Sequence, residues 1–304
     1  MPNTQYDLII IGAGPAGITA SVYAARKRMK LLVLTGDIGG QAAWSSDIEN
    51  YTGYQFVTGP ELVSKFEEHM RKYAIDFHEN EEVREIEKSG NLIKVKTKNG
   101  EYQARTAIIA SGKVSKELGV PGEKDFKHKG LTYCATCDGP LFSGKDVAVI
   151  GGGNSALDAA LQMIKIAKTV YVINNTDRLG GDAVMREKVQ GAPNVKIVNG
   201  AKVIAVTGDK MVSGIKVRTV SGEEEISVQG VFVEVGLIPN SSFALSVEKN
   251  ERGEIKVNCK NETNIPGIFA AGDVTDVSEK QIIIAAGEGS KAALSAFKYI
   301  NHSR

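Results

Sequence analysis

Two cysteines separated by two residues, Cys134 and Cys137, are followed directly by the acid Asp138. Cysteines at this spacing can close a disulfide that exchanges electrons, or they can supply half of a tetrahedral zinc site. A zinc site needs a second pair of ligands, and neither the lone Cys259 nor the four histidines offer one at a suitable spacing. We therefore predict a redox-active disulfide without a metal, beside an acid placed to exchange protons with its thiols.

Simpler interpretations exist for some of these residues. Asp138 can instead cap a turn formed with Gly139 and Pro140. Cys259 ends a strand-like run, residues 254–259, and is expected to be a packed small hydrophobic residue. The histidines are expected at the surface.

A glycine-rich loop near the start of the chain indicates a dinucleotide site. An apolar run at residues 6–11 predicts a buried parallel strand, and the loop Gly12-Ala-Gly14-Pro-Ala-Gly17 and a run of small residues follow it. In such a loop the first glycine permits a tight turn, the second admits a pyrophosphate, and the third lets the helix pack close to the strand. Asp37 lies at the distance expected for a ribose-binding acid, although it can also point to solvent.

The same pattern recurs after the cysteines. Residues 146–150 predict a strand, and the loop Gly151-Gly-Gly153-Asn-Ser-Ala156 opens a second helix. The following strand, residues 169–173, ends in Asn174 and Asn175, with Arg178 three residues further on. A carboxylate at this position would bind the ribose diol of NAD, and paired arginines would clamp the 2′-phosphate of NADP. This chain has neither feature, and a polar turn without a recognition role is the alternative.

The order of these features predicts an α/β protein of two Rossmann-like domains, the second inserted in the first. The outer domain is expected at residues 1–114 and 243–304, and the inner domain at 115–242. Two further strand runs, residues 106–112 and 267–273, and a helix over 290–299 belong to the outer domain. The two connections between the domains can act as a hinge, although a rigid insertion is equally compatible with the pattern.

Composition excludes several functions. The chain of 304 residues has 37 Lys and Arg against 36 Asp and Glu, so its net charge of +1 gives no field to attract nucleic acid or an anionic membrane. Three cysteines are too few for the disulfide network of a secreted protein. The apolar run at residues 8–20 is broken by glycine and proline and is too short to span a membrane. We therefore expect a cytoplasmic protein.

Six motifs in this order resemble the low-molecular-weight thioredoxin reductases, which are FAD flavoproteins. They are GAGPAG (12–17), TAIIASG (106–112), CATCDGPLF (134–142), GGGNSA (151–156), VEVGLIPN (233–240) and GIFAAGD (267–273). The segments CDGPLF, SSDIENY (45–51) and KQIIIAAGEG (280–289) are more similar still to the reductase portion of the alkyl hydroperoxide reductase flavoprotein. That protein carries thioredoxin-like domains ahead of its flavin domain, so we expect this chain to pass electrons to a separate protein.

The resemblance implies the residues of both cofactor sites. The FAD site of the outer domain is expected to comprise Gly12, Gly14, Pro15, Ala16, Gly17, Thr35, Gly36, Gly40, Gln41, Asn50, Val83, Ala110, Ser111, Gly112, Gly272, Asp273, Lys280, Gln281 and Ile282. The NAD(P) site of the inner domain is expected to comprise Gly151, Gly153, Asn154, Ser155, Ala156, Asn174, Asn175 and Arg178. The resemblance also implies a homodimer.

The end of the second inner strand departs from the family pattern. Thioredoxin reductases that use NADPH carry His-Arg-Arg and a further Arg where this chain has Asn174, Asn175, Thr176 and Gly180. The hydroperoxide reductase flavoproteins use NADH and carry Glu at the position of Asn174. We therefore favour NADH, or use of both nucleotides, over strict use of NADPH. Relatives fed by ferredoxin are the other possibility, but they tend to lose the intact second loop.

By the same resemblance, Cys137 is the sulfur that meets the flavin and Cys134 the one that reacts with the partner. The inner domain is then expected to swing, because one flavin face cannot hold both the nicotinamide and the disulfide. The expected partner is thioredoxin or a thioredoxin-like protein, and a glutaredoxin-like or peroxiredoxin-linked carrier is the alternative. A redox sensor that holds FAD without turnover is the non-enzymatic alternative, although a sensor has no need of a hydride-donor site.

Overall fold

The computed structural model describes residues 5–45 and 48–302, so Ser46 and Asp47 of the SSDIENY run lie outside the described residues. The chain divides into two compact units, with Ser115–Leu237 inserted between the two parts of the first unit. Residues 238–242, which the sequence placed in the inner domain, belong to the first unit. The reason is local: the amide of Asn240 donates to the carbonyl of Gly112 at 2.9 Å, and the Ser111 hydroxyl donates to the Asn240 carbonyl at 2.6 Å.

The first unit is built on a mixed sheet with the strand order β3-β2-β1-β6-β5-β4, and β17 pairs with β6 beside this path. Its strands are β1 (Gln5–Ala13), β2 (Leu31–Ile38), β3 (Asp76–His78), β4 (Val83–Ser89), β5 (Leu92–Thr97), β6 (Glu101–Ile109) and β17 (Ile268–Ala270). Successive residues of β1 enter different apolar clusters: Leu8 and Ile10 pack in one cluster, and Ile9 and Ile11 in the other. Burial on both faces explains why this strand is an unbroken apolar run.

Three helices accompany this sheet: α1 (Pro15–Arg26), α2 (Gly59–Arg71) and α7 (Ile282–His302). The last begins eight residues before the helix predicted at residue 290. The prediction began the helix after Gly287 and Gly289, but Gly289 lies inside the helix where α7 meets α1. A Cβ at Gly289 would lie 2.0 Å from the carbonyl oxygen of Ala16, so only glycine permits this close approach.

The second unit contains a parallel sheet with the strand order β11-β10-β9-β15-β8. Its strands are β8 (Leu131–Thr132), β9 (Asp146–Ile150), β10 (Thr169–Ile173), β11 (Val195–Val198) and β15 (Gly230–Val233), and its helices are α3 (Glu123–Phe126), α4 (Ala135–Asp138), α5 (Asn154–Ile164) and α6 (Ala183–Gln190). The chain runs from β9 to β10 and β11 on one side, and β15 lies on the other side. The sheet therefore reverses its strand order between β9 and β15. Parallel sheets bind ligands in the crevice that such a reversal leaves at the carboxyl ends of the strands.

A smaller antiparallel sheet completes the second unit: β12 (Lys202–Gly208), β13 (Val212–Thr219) and β14 (Gly222–Ser227). The chain segments that connect the units, β7 (Lys113–Ser115) and β16 (Leu237–Pro239), pair with each other.

The prediction for Cys259 was wrong, because its side chain is exposed rather than packed. The strand expected over residues 254–259 is also absent, and only isolated bridges form there, at Ile255. Of the histidines, His69, His128 and His302 are exposed and His78 is half-buried. Within the described ranges, no helix has the length and apolar character needed to cross a membrane.

Candidate functional site

The first glycine loop joins β1 to α1. Gly12 has φ of +105°, and a Cβ there would lie 2.3 Å from the carbonyl oxygen of Ala110, so the loop presses against the end of β6. A Cβ on Gly17 would lie 1.9 Å from the carbonyl oxygen of Gly12, which ties the helix to the turn. Gly14 is different, because the nearest atom to its Cβ would be the Gly39 carbonyl oxygen at 3.9 Å. The middle of the loop is therefore open to a ligand.

A second segment lies beside this loop. A Cβ on Gly40, whose φ is +52°, would lie 3.8 Å from the Cα of Gly14. Thr35 is buried, and its hydroxyl accepts a hydrogen bond from the Ala13 amide and donates to the Asp37 carbonyl. Thr35 thus ties the end of β1 to the last residues of β2, while Gly36 has open space where its side chain would be.

Two hydrogen bonds tie predicted flavin-site residues to positions far away in sequence. The side-chain amide of Asn50 donates to that of Gln281 at 2.9 Å. The side-chain amide of Gln41 donates to the carbonyl of Lys113 at 2.9 Å. The structure thus brings Asn50 next to Gln281, which directly precedes α7, and Gln41 next to Lys113, which follows β6 in the chain.

Sequence reasoning missed a buried ion cluster made of Lys113, Glu254 and Lys280. The Glu254 carboxylate lies 3.0 Å from the Lys113 ammonium and 3.2 Å from the Lys280 ammonium. Burial opposes its ionisation, but hydrogen bonds from Asn250 and both lysines lower the pKa of Glu254 to about 2. Burial raises the pKa of the nearby Asp273 above its usual value, although the same two lysines act in the opposite direction. No sequence motif links these residues, because Lys113 and Glu254 are 141 positions apart.

The other predicted residues of the first unit lie at strand and helix ends. Val83 begins β4, Gly272 opens a short 3-10 helix, and Ile282 begins α7. Gly112 has φ of +62° and follows the end of β6. The Cβ that Gly272 lacks would lie 3.0 Å from the Cβ of Ala16.

The second glycine loop repeats this geometry between β9 and α5. A Cβ on Gly151, whose φ is +140°, would lie 2.2 Å from the carbonyl oxygen of Glu234 at the end of β15. Gly153 has no atom within 4 Å of the position of its Cβ. Ser155 is exposed in the first turn of α5, and Ala156 is buried beneath it. The Asn154 side chain accepts a hydrogen bond from the Asp182 amide at 2.7 Å, which fixes the loop before α6.

Asn174, at the end of β10, uses its whole amide group inside the protein. Its nitrogen donates to the Thr176 carbonyl at 3.0 Å and to the Asn199 side chain at 2.9 Å, and its oxygen accepts from the Thr176 hydroxyl at 3.0 Å. Asn174 is 2 % exposed, whereas Asn175 and Arg178 are exposed. Asn174 therefore shapes the loop, and of the three predicted residues here Asn175 and Arg178 are the ones whose side chains can meet a ligand.

Cys134 and Cys137 form a disulfide with their Cα atoms 5.4 Å apart. Cys134 caps α4, and its Sγ accepts a hydrogen bond from the Cys137 amide at 3.1 Å. Cys137 is exposed, while Cys134 and Asp138 are half-buried. The described residues include no group of three or more His, Cys, Asp or Glu side chains that could hold a metal.

A chain of polar contacts starts at this disulfide helix. The Thr136 hydroxyl donates to Gln162 at 2.9 Å, and the Gln162 amide donates to the Asp158 carboxylate at 2.8 Å. Burial, together with the charge of Asp158, raises the pKa of Glu234 to about 8. Sequence reasoning did not select Asp158 or Glu234, because each lies in an ordinary helix or strand pattern.

Both loops fit a dinucleotide. In α1 and in α5, which the structure describes completely, the N-cap residue is a glycine and no side chain caps the first turn. The first amides are therefore available to a phosphate, and Gly14 and Gly153 leave room for it. The chain matches the family model described as pyridine nucleotide-disulphide oxidoreductase over residues 6–289. The chain belongs to this family.

Relatives of this oxidoreductase agree with that assignment. The chain is 42% identical over 303 residues to an alkyl hydroperoxide reductase subunit of Pseudomonas aeruginosa, covering 97% of this chain and 58% of the relative. It is 41% identical over 299 residues to a Bacillus subtilis protein named NADH dehydrogenase, covering 97% of this chain and 58% of that protein. The chain thus spans less than three-fifths of the length of these two relatives.

A solved structure has the same fold as almost the whole of this chain. The thioredoxin reductase of Lactococcus lactis superposes with a TM-score of 0.93 at 34% identity, covering 98% of this chain and 99% of that one. The predicted α/β fold with two Rossmann-like domains is confirmed, and so is the resemblance to thioredoxin reductases. The chain thus combines membership of the pyridine nucleotide-disulphide oxidoreductase family with the fold of the thioredoxin reductases.

Proposed function

We propose that this chain passes two electrons from NADH, or from NADH and NADPH, through FAD and Cys134–Cys137 to thioredoxin or a thioredoxin-like protein. The observation that carries the proposal is the combination of a disulfide and a nucleotide loop in one unit with a second nucleotide loop in the other. FAD is assigned to the first unit and the nicotinamide nucleotide to the second. The homodimer stays a prediction from the resemblance.

The flavin supplies two-electron transfer between a hydride donor and a disulfide. Reduction of Cys134–Cys137 by two electrons and two protons gives two thiols, and we assign the transfer of a proton to or from them to Asp138. The Cys134 thiolate then attacks the partner disulfide and forms a mixed disulfide, which releases one partner thiolate. Attack of the Cys137 thiolate on Cys134 Sγ releases the second partner thiolate and restores the disulfide.

The hydrogen bond from the Cys137 amide to Cys134 Sγ supports this division of roles. An amide donor favours the charged form of a sulfur, so it would stabilise a thiolate on Cys134 after reduction. Cys134 is therefore the sulfur we assign to attack on the partner, and Cys137 is the one we assign to the flavin.

The environment after β10 supports NADH or dual use. The side chains that meet solvent there are one cation, Arg178, one acid, Asp177, and the neutral Asn175 and Thr176. An isolated arginine gives weaker recognition of a 2′-phosphate than a pair does, and Asn174 presents no carboxylate that would repel it. A relative named NADH dehydrogenase points in the same direction.

Parallel stopped-flow experiments with NADH and NADPH test the donor. Bleaching of the flavin absorbance by NADH, at a rate equal to or above that with NADPH, is expected. Bleaching by NADPH alone would overturn the donor assignment. Bleaching by neither nucleotide, with bleaching by reduced ferredoxin, would overturn the nicotinamide site altogether.

A peroxiredoxin-linked or glutaredoxin-like carrier is the second candidate partner, because the chain is 42% identical to an alkyl hydroperoxide reductase subunit. NADH oxidation coupled to insulin reduction through thioredoxin tests the first partner. Coupling to hydroperoxide reduction through a peroxiredoxin, with and without a glutaredoxin-like carrier, tests the second. Turnover with thioredoxin at least as fast as with the other carriers is expected, and turnover with the other carriers alone would replace the first assignment.

A further inference from the structure

Glu234 directly follows β15, beside the point where the parallel sheet reverses its strand order. Its amide donates to the Ile150 carbonyl at 2.8 Å, and its own carbonyl oxygen lies against Gly151, where a Cβ would come within 2.2 Å. The residue is thus fixed by its backbone to the first glycine of the second nucleotide loop. Nothing in the proposed electron transfer uses its carboxyl group.

The side chain of Glu234 belongs on the α5 side of the sheet. Val231 and Val233 pack in one apolar cluster, and Phe232 packs in the other with residues of α5 and with Ala135 of α4. Because strand residues alternate between faces, Glu234 follows Phe232 onto the same face. Asp158 of α5 acts on it there, and the chain of contacts through Gln162 and Thr136 continues to the disulfide helix.

The elements around Glu234 bring it little positive charge. The loop 151–153 is glycine, residues 154–157 of α5 are uncharged, and so is β8. The acid of β9, Asp146, lies at the opposite end of that strand, and α4 carries Asp138. β13 packs on the other face through Ile215 and Val217 and exposes its Lys216 and Arg218. Burial is therefore the main cause of the raised pKa of Glu234, and Asp158 is the charged group that adds to it.

We propose that Glu234 is a positioning residue of the second nucleotide site, and that its carboxyl group must carry a proton for the anionic nucleotide to bind. A dinucleotide brings the negative charge of its pyrophosphate to the start of α5. A second carboxylate beside Asp158 would repel this charge in a partly desolvated crevice, whereas a neutral acid would not. This inference rests on the proposed nucleotide site in the second unit.

Burial of Glu234 and the negative charge of Asp158 raise the pKa of Glu234 to about 8. This raised pKa sets the sign of the pH dependence. The acid is neutral at pH 7 and becomes charged above pH 8. If only the neutral form binds, Kd rises about tenfold between pH 7 and pH 9, and binding near pH 8 takes up a fraction of a proton. The cysteines do not contribute while they remain oxidised, because they are joined as a disulfide.

Isothermal titration calorimetry of NAD⁺ into the oxidised FAD-loaded enzyme tests the inference. NAD⁺ leaves the disulfide oxidised, and two buffers of different ionisation enthalpy report the protons taken up. The variants are Glu234→Gln, which imitates the neutral acid, and Glu224→Gln, an exposed position on β14 in the same unit, as the control. FAD absorbance and circular dichroism confirm that each variant is folded.

Wild type and E224Q are expected to lose about tenfold in affinity from pH 7 to pH 9 and to take up protons near pH 8. E234Q is expected to keep the wild-type affinity at pH 7 and to lose the pH dependence and the proton uptake. An E234Q profile that follows wild type, or weak binding of folded E234Q at pH 7, would overturn the role of Glu234. Failure of wild type to bind NAD⁺ at any pH, together with failure of NADH to bleach the flavin, would instead overturn the proposed function.

Discussion

The amide of Cys137 donates a hydrogen bond to the Sγ of Cys134 at 3.1 Å, so the two cysteines of the disulfide are not equivalent. Cys134 caps the short helix and receives this donor from it. After reduction this donor stabilises negative charge on one sulfur of the pair.

Exchange of Cys137 for Ser is expected to abolish disulfide reduction and to leave FAD bound. The remaining Cys134 should then attack a partner variant that keeps one active-site cysteine, activated as its disulfide with thionitrobenzoate, release thionitrobenzoate and form a stable mixed disulfide, which non-reducing electrophoresis and mass spectrometry detect. Exchange of Cys134 for Ser should also abolish turnover but should trap far less partner. Cys259→Ser is the matched control, because this exposed cysteine lies outside the disulfide. Equal trapping by both variants would contradict the assigned roles.

Arg178→Ala is expected to lower kcat/KM for NADPH by about tenfold or more and to change kcat/KM for NADH little. The reason is that hydrogen bonds to a charged group contribute about 1.5–3 kcal/mol, and only NADPH carries the 2′-phosphate. Stopped-flow bleaching of the flavin at several nucleotide concentrations measures both values. Arg218→Ala is the control, because Arg218 is exposed on β13 and pairs with Glu223. An equal loss for both nucleotides would remove Arg178 from phosphate recognition.

Glu254→Gln is expected to destabilise the protein by about 3 kcal/mol at pH 7, because two lysines lose their buried partner. The pKa of Glu254 is lowered from 4.5 to about 2, so its stabilising contribution is present above pH 4.5 and is lost as the pH falls toward 2. Thermal unfolding between pH 7 and pH 3 should therefore show the difference in Tm between wild type and variant shrinking below pH 4.5. Glu251→Gln, at an exposed neighbouring position, should unfold like wild type at every pH.

Two glycines of α7 give a test of helix packing. Gly289→Ala places a methyl group 2.0 Å from the Ala16 carbonyl oxygen, and it is expected to cost about 1–3 kcal/mol and to reduce FAD occupancy. Gly287→Ala meets no atom within 4 Å and should be neutral or should stabilise by up to about 1 kcal/mol. Tm and the ratio of flavin to protein absorbance measure both effects. A normal flavin content in Gly289→Ala would show that the contact between α1 and α7 does not support the site.

The strands around the two glycine loops were predictable because their signals are local. Residues 146–150 and 169–173 coincide with β9 and β10, since buried parallel strands are short apolar runs bounded by polar or glycine residues. The start of α7 was not predictable, since Gly289 suggests a loop until the surface of α1 is known. Cys259 was misjudged for a similar reason: its neighbours have a strand-like composition but form only isolated bridges, at Ile255.

The sequence by itself determined the chemistry, because the spacing of Cys134 and Cys137 and the order of the glycine loops depend only on residues close in the chain. Only the tertiary structure decided which side chains can act. It buried the amide of Asn174 in a network with Asn199, assembled Lys113 and Glu254 into one ion cluster, and placed Glu234 against Gly151. The physical reason is that hydrogen bonding, ion pairing and desolvation depend on distance in space, and these partners are brought together only when the sheets form.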